Sequence, residues 1–201
     1  MSAMVKRLGT AVLAAGLIFG AGRMALADEI SDGLALSADL YAKGDLAGAL
    51  KELGFATAAI QAKMNESYGS TFPEPPAGWT ADEVDAQSMA IMGMGQNVSR
   101  TYTNANGNSV KLSLTADSPM LQSMGMIFAN PMMAAQAGFQ RIRVGREEAM
   151  LKDDKSGQVQ ILLTVGSRLL LQAEGSGASV DEVKALFSAW KVDEVKKLAG
   201  M

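Results

Sequence analysis

The sequence predicts an α+β protein in which an N-terminal helical hairpin precedes an antiparallel sheet covered by helices. Two observations support this fold class. Apolar residues recur every three or four positions between about residues 29 and 67, which is typical of amphipathic helices. Beyond residue 78 the period changes to two, which is typical of strands that bury one face. The chain has 201 residues, 48% of them apolar, which is enough for an ordinary core.

The first 27 residues have the pattern of a secretory leader. Basic residues at positions 6 and 7 precede a short uncharged stretch, and Ala25-Leu26-Ala27 stands directly before an acidic pair. This order is typical of a cleavable signal peptide, and its apolar part is shorter than the ~20 residues of a membrane span. We expect cleavage after Ala27, a periplasmic location and no membrane span thereafter. Arg23, close to the cleavage site, leaves an uncleaved anchor as the alternative.

Composition restricts the possible chemistry. The chain has no cysteine and no histidine, which excludes thiolate nucleophiles, zinc sites built on those residues and Ser-His-Asp triads. Loss of the leader leaves 15 basic against 21 acidic residues, a net charge of −6. A negative balance disfavours nucleic acid and anionic membranes as partners. With no catalytic motif and no cofactor or metal motif in the sequence, we expect a protein without enzymatic activity.

Two helices are predicted between Glu29 and about Ser67. Lys43-Gly44-Asp45 between them supplies a C-terminal glycine followed by an N-cap. The string Tyr41-x-x-Gly44-Asp45-x-x-x-Ala49 is similar to the turn of a tetratricopeptide unit. About three such units are needed for an independent solenoid, so we expect this single hairpin to pack on the rest of the protein or on a partner. The apolar stripe of the second helix consists of Leu46, Leu50, Leu53, Thr57, Ile60 and Met64.

A proline-rich segment follows the hairpin. Residues 70–78 hold three prolines and cannot form a helix or a central strand. The predicted organisation is therefore a signal peptide over 1–27, a hairpin over 28–69, this linker over 70–78 and an α+β sandwich domain over 79–201. We expect proteases to cut the exposed linker first and to leave a folded fragment of about residues 79–201.

Strands dominate the second predicted domain. A three-residue loop with a left-handed Gly107 pairs Tyr102 with Val110 and aligns the apolar rows of the first two strands. Later strands are predicted over 140–144, 148–152, 158–165 and 168–173. The runs Ile161-Leu162-Leu163 and Leu169-Leu170-Leu171 place aliphatic side chains on both faces, which is typical of central strands covered from both sides.

Helices are predicted to cover this sheet. Asp117-Ser118-Pro119 begins one that runs to about Ala129 and resumes after Asn130-Pro131 to Ala137. A capping box from Ser179 to Glu182 begins another, which carries Trp190. We expect Trp79 and Trp190 to anchor the core.

This order of strands and helices resembles the Mog1/PsbP-type α/β/α sandwich over about residues 79–199. The run Asp117-Ser118-Pro119-Met120-Leu121, with Asn130-Pro131, is similar to exported bacterial proteins. The resemblance implies a binding or accessory module more than an enzyme, since such folds host unrelated roles.

Methionines cluster in the middle of the chain. Soft thioethers can hold Cu(I), for which Met89, Met92 and Met94 have a suitable spacing. The other interpretation is core filling, because Met120 and Met124 share one helical face. Residues 118–140 carry no charge, and we expect a helix buried against the sheet rather than a membrane-surface helix. The remaining clustered methionines are Met126, Met132 and Met133.

Charged side chains of the sheet suggest little chemistry. Glu147 and Glu148 should point to opposite faces of one strand and so cannot act together. Asp153-Asp154 should serve a turn. Arg141 and Arg143 share one face and could recognise an anion, although a solvated edge strand is the favoured interpretation.

These observations together predict a periplasmic, non-enzymatic protein that binds or helps to assemble a protein partner. The alternative is a carrier of a soft metal, Cu(I), or of an apolar ligand, built on the Met-rich segments.

Overall fold

A computed structural model of the protein describes residues 28–88, 95–119, 121 and 130–201. The leader, the proposed Cu(I) ligands Met89, Met92 and Met94, and most of the helix predicted before Asn130 lie outside these residues. The helices of the described part are α1 Glu29–Ala42, α2 Leu46–Gly69, α3 Pro131–Gln136, α4 Val180–Ser188 and α5 Val192–Leu198. Its strands are β1 Trp79–Ala81, β2 Asp85–Ser88, β3 Gln96–Asn104, β4 Ser109–Ala116, β5 Gln140–Val144, β6 Glu147–Asp153, β7 Gln158–Val165 and β8 Leu169–Ser176.

Helices α1 and α2 form the predicted hairpin. Gly44 has a φ of +80° at the turn, and the Asp45 side chain accepts the Gly48 backbone N–H at 2.9 Å as the N-cap of α2. The two helices meet through small residues, for Ser37 is buried and its Oγ donates to the Ala49 carbonyl at 2.8 Å. Because small residues fill this contact, the two helices lie close together there.

The eight strands form one antiparallel sheet. Its order is β1-β3-β4-β8-β7-β6-β5, with β2 pairing beside β1 along β3. Tyr102 pairs with Val110, and Gly107 has a φ of +80°, so the predicted three-residue loop is confirmed. The α+β class and the N-terminal hairpin are therefore confirmed.

The core occupies both faces of the sheet. On one face α2, α4 and α5 cover the alternate residues of the central strands, and Trp190 is 3% exposed there, as expected of an anchor. Trp79 is partly buried against the same cluster. On the other face Leu162 and Leu170 are buried with Ala134 of α3, so the prediction that these strands are covered from both sides is confirmed.

Helix α4 begins where the sequence predicts it. Ser179 and Glu182 form the capping box, with reciprocal hydrogen bonds between side chain and backbone. The helix buries Val183 so close to β8 that a methyl group on Gly175 would clash with it. A glycine near the C-terminal end of β8 therefore allows helix and sheet to approach each other.

The proline-rich segment differs from the prediction. We expected it to be exposed throughout, but Thr71, Phe72 and Pro73 are buried. The Trp190 Nε1 donates to Thr71 Oγ1 at 3.0 Å, and the Tyr102 hydroxyl donates to the Pro73 carbonyl at 2.7 Å. Burial raises the pKa of Tyr102 to about 12. The first half of the segment is thus part of the core, because its polar groups find partners there, and only the second half is mostly exposed.

Candidate functional site

Two surfaces on opposite sides of α2 are candidates for binding. The first, here called the hairpin face, consists of the predicted apolar stripe of α2 and a second apolar stripe on α1, formed by Ile30, Leu34 and Tyr41. Ile30 and Ile60 line one small cavity of about 180 Å³, which fixes the two stripes on the same side of the hairpin. Helical periodicity places the other members of the hairpin face beside them, namely Leu34, Tyr41, Leu46, Leu50 and Leu53.

The hairpin face is continuous with the core at one end and exposed to solvent at the other. Helix α2 has 24 residues and is about 36 Å long. Towards its C-terminus the stripe packs on the sheet, where Met64 is partly buried and Tyr68 is fully buried. Towards its N-terminus the same stripe is largely exposed among the described residues, with Leu46 60% and Leu50 70% exposed. Within the described part of the chain, the stripe is therefore buried only towards the C-terminal end of α2.

The opposite side of α2 carries an exposed aromatic residue that serves as a comparison. Phe55 is 60% exposed, and the Lys51 ammonium lies 5.8 Å from the centre of its ring. It lies about 140° around the helix from Leu50, away from the hairpin face. A single exposed apolar residue of this kind is ordinary, whereas a continuous apolar surface suggests an interface.

The second candidate surface is an open groove between α2 and β2, here called the α2–β2 groove. Its volume is about 600 Å³. Alanine, glycine and polar residues of α2 form one wall, and Val84 and Ala86 form the other. The sequence does not predict this groove, because it depends on where β2 lies relative to α2. The α2 residues along it are Ala58, Gln61, Ala62, Asn65, Glu66 and Gly69.

Asn65 is the unusual residue of this groove. Its side chain is only 4% exposed, and its Oδ1 accepts no hydrogen bond from any described residue. Burying an amide without a partner is costly, so such a group in a groove wall suggests a role beyond packing. The only signal in the sequence was a polar residue on the side of α2 that approaches the sheet, and periodicity did not single it out.

We predict that Asn65→Leu stabilises the protein. The substitution removes an unpaired buried oxygen and keeps the branched outline of the side chain, although leucine is larger, so the free energy of unfolding should rise by about 1–2 kcal/mol. Urea unfolding followed by circular dichroism measures it. Helix propensity alone accounts for about 0.5 kcal/mol, so a gain no larger than that would contradict the prediction. Asn65→Asp, which buries a charge at the same position, should be destabilising.

The charged residues singled out in the sequence serve structure. Glu147 forms an ion pair with Lys196 of α5, while Glu148 lies 3.9 Å from Arg141, so the two glutamates have separate partners, as expected. Arg141 and Arg143 are exposed on β5, an edge strand, which agrees with the favoured interpretation of a solvated edge.

The predicted acidic turn is confirmed. Asp153 accepts the Lys155 backbone N–H at 2.9 Å, and Asp154 accepts that of Ser156 at 2.9 Å. The Ser156 backbone N–H stabilises the charged carboxylate of Asp154 and holds the pKa of that group below its ordinary value. Both carboxylates therefore stabilise the turn through local hydrogen bonds.

One ion pair was not foreseen. Arg168 donates to both carboxylate oxygens of Asp117, at 2.6 and 3.0 Å, and also to the Ala199 carbonyl at 3.3 Å. Hydrogen bonding to the carboxylate raises the pKa of Arg168. Because Asp117 has a φ of +53°, this contact stabilises an unusual backbone conformation directly after β4.

Metal and membrane sites find no support in the part of the chain that the structure describes. There, no group of three or more acidic residues is placed to hold a metal ion. Met132 and Met133 are exposed on α3, and Met150 is buried in the sheet. None of the described helices is both long enough and apolar enough to cross a bilayer.

Comparison with protein-family models, with curated proteins and with solved structures finds no match for this chain. The two surfaces of α2 are therefore the main features of this chain that bear on its function.

Proposed function

We propose that this protein is an exported, non-enzymatic accessory protein that binds a protein partner through the hairpin face. The observation that carries the proposal is the apolar stripe of α2, which is buried against the sheet at Tyr68 and exposed at Leu50. Large exposed apolar surfaces on soluble proteins are characteristic of interaction sites. Because the stripe extends an established packing surface, a partner would continue the same kind of helix packing.

The chemistry of the hairpin indicates the kind of partner. Two antiparallel helices that present one apolar side accept an amphipathic helix, whose apolar face packs along them. Residues 28–69 carry seven acidic against three basic residues, a net charge of −4. The contacting segment of the partner is therefore expected to be neutral or basic.

Location and fold family belong to the same proposal. Cleavage after Ala27 would leave Asp28 as the first residue, and Asp28 is the N-cap of α1, its Oδ1 accepting the Ile30 N–H at 3.3 Å. The helical hairpin supports a relation to a single tetratricopeptide unit. A sheet with packed helices on both faces supports a relation to the Mog1/PsbP-type sandwich.

Site-specific photocrosslinking in cells tests the proposal. A photoreactive phenylalanine analogue replaces Leu50 in one chain and Phe55 in another, since both positions are exposed and lie on different sides of α2. We expect a discrete adduct with a second protein from position 50 and none from position 55. In the chain labelled at position 50, Leu53→Glu should abolish the adduct because it places a charge in the apolar face.

The control is Phe55→Glu in the chain labelled at position 50, which should leave the adduct unchanged. The absence of an adduct at position 50, or equal adducts at both positions, would overturn the proposal. An adduct with twice the mass of this chain would assign the hairpin face to self-association and would equally overturn an accessory role.

A further inference from the structure

Strand β5, Gln140–Val144, forms one edge of the sheet, and the proposed function does not use it. No described residue pairs with its outer side. We propose that this edge binds an extended acidic segment of another protein, which adds to the sheet as a further strand. The direction of the backbone groups, the charge of the edge and the alternation of its side chains each support this kind of partner.

The backbone of β5 presents hydrogen-bonding groups to the outside at two positions. A two-residue loop joins β5 to β6, and its first residue, Gly145, has a φ of +62°, as a type II′ turn requires there. The residues that flank such a loop, Val144 and Glu147, exchange backbone hydrogen bonds, and bonded pairs then alternate with unbonded pairs along the strands. Arg141 and Arg143 belong to unbonded pairs, so their N–H and C=O groups point away from β6 and can pair with an added strand.

The edge is basic although the protein as a whole is acidic. Arg141 and Arg143 lie on β5 and Arg146 follows in the loop, whereas the full chain has a net charge of −3. Arg141 lies 3.9 Å from Glu148, and both side chains are exposed, so this ion pair is weak and can exchange partners. Neither Arg143 nor Arg146 forms an ion pair with a described residue. Acidic side chains of an added strand would therefore meet unpaired guanidinium groups.

The side chains of β5 define the order of residues that the added strand needs. Arg141 pairs with Met150, which places both arginines on the face of the sheet that α3 covers, whereas Ile142 lies on the other face against the main core. Residues directly opposite each other on neighbouring strands share a face. The partner strand should therefore carry acidic residues at two alternate positions, with an apolar residue between them.

A second β5 strand is not the expected occupant of this edge. Pairing of two β5 strands across a two-fold axis would place arginines beside arginines, and like charges on neighbouring strands are destabilising. The charges that keep β5 from pairing with itself therefore favour an acidic strand.

Binding of fluorescein-labelled heptapeptides to the purified protein, followed by fluorescence anisotropy, tests this edge. The first peptide is Thr-Val-Glu-Val-Glu-Val-Thr, and the second, Thr-Val-Val-Glu-Glu-Val-Thr, has the same composition without the alternation. The third is the first peptide with both glutamate backbone nitrogens methylated, which removes the donors that face β5. We expect the first peptide to bind at least about tenfold more tightly than the other two, because it alone can pair its backbone with β5 and place both carboxylates on the arginine face.

Two double variants separate the edge from the general charge of the protein. Arg141→Glu/Arg143→Glu should weaken binding of the first peptide at least about tenfold and should allow binding of Thr-Val-Lys-Val-Lys-Val-Thr. Lys51→Glu/Lys197→Glu makes the same change of charge at exposed helix positions and should bind the first peptide like the unmodified protein.

Three results would overturn the proposal, namely no saturable binding of the first peptide, equal affinity for all three peptides, or equal losses in both double variants. Concentration-dependent association of the unmodified protein that the first peptide inhibits would assign the edge to self-association and would equally overturn it. Because β5 is separate from the hairpin face, these results are independent of the crosslinking test.

Discussion

A fragment of residues 79–201 is expected not to fold on its own. Tyr68 and Phe72 are 1% and 4% exposed and belong to the core on the face of the sheet that α2, α4 and α5 cover. The fragment lacks both residues. Their loss leaves a large cavity beside Trp190 and exposes the apolar face of β3. The isolated fragment should bind a hydrophobic dye, show no cooperative thermal transition and give poorly dispersed NMR spectra.

The matched control is a chain of residues 45–201, which loses only α1. That helix packs chiefly on α2 through small residues such as Ser37, so this shorter chain should keep a cooperative transition at a lower temperature. A fully cooperative, stable fragment of residues 79–201 would show instead that the hairpin is dispensable for the core. Proteolysis in the exposed second half of the proline-rich segment is still expected, but the two pieces should remain associated.

Replacement of Trp190 by alanine should give the largest loss of any single substitution discussed here. The ring lies 4.7 Å from the centre of Phe72 and 5.9 Å from that of Phe187, and its N–H donates to Thr71. Removing a buried aromatic side chain costs about 3–5 kcal/mol, and Thr71 also loses its partner. Urea unfolding should show this decrease in the free energy of unfolding.

Two further variants serve as controls for the Trp190→Ala substitution. Trp190→Phe keeps much of the ring contact and should cost distinctly less than the alanine variant. Phe55→Ala removes an aromatic ring of the exposed part of α2 and should change stability by less than about 0.5 kcal/mol. A loss of under 1 kcal/mol for Trp190→Ala would mean that the proline-rich segment is not anchored through this residue.

Much of the described fold could be predicted because local signals and tertiary packing agree in it. The pairing of Tyr102 with Val110 followed from aligning two apolar rows, and the Ser179 capping box fixed the start of α4. The proline-rich segment was predicted incorrectly because proline excludes regular structure but does not determine burial. Thr71 and Pro73 are buried since Trp190 and Tyr102, distant in sequence, satisfy their polar groups.

The candidate sites were less predictable than the fold. Periodicity identified the stripe of Leu46, Leu50 and Leu53, but it could not show that the sheet ends before covering them. The α2–β2 groove depends on where β2 lies, and the unpaired state of the Asn65 Oδ1 depends on every described neighbour of that atom. Both are properties of three-dimensional placement, which a one-dimensional pattern does not contain.

The contact between Thr71 and Trp190 also affects when the protein can fold. The two residues are separated by 119 positions, so synthesis must proceed beyond residue 190 before the main core can close. Contacts this distant in sequence delay folding, because a long loop must be ordered first. Until then Tyr68 and Phe72 cannot be buried in the completed core, and chaperones can bind the nascent chain. A late-closing core of this kind is compatible with passage through a translocation channel as an extended chain.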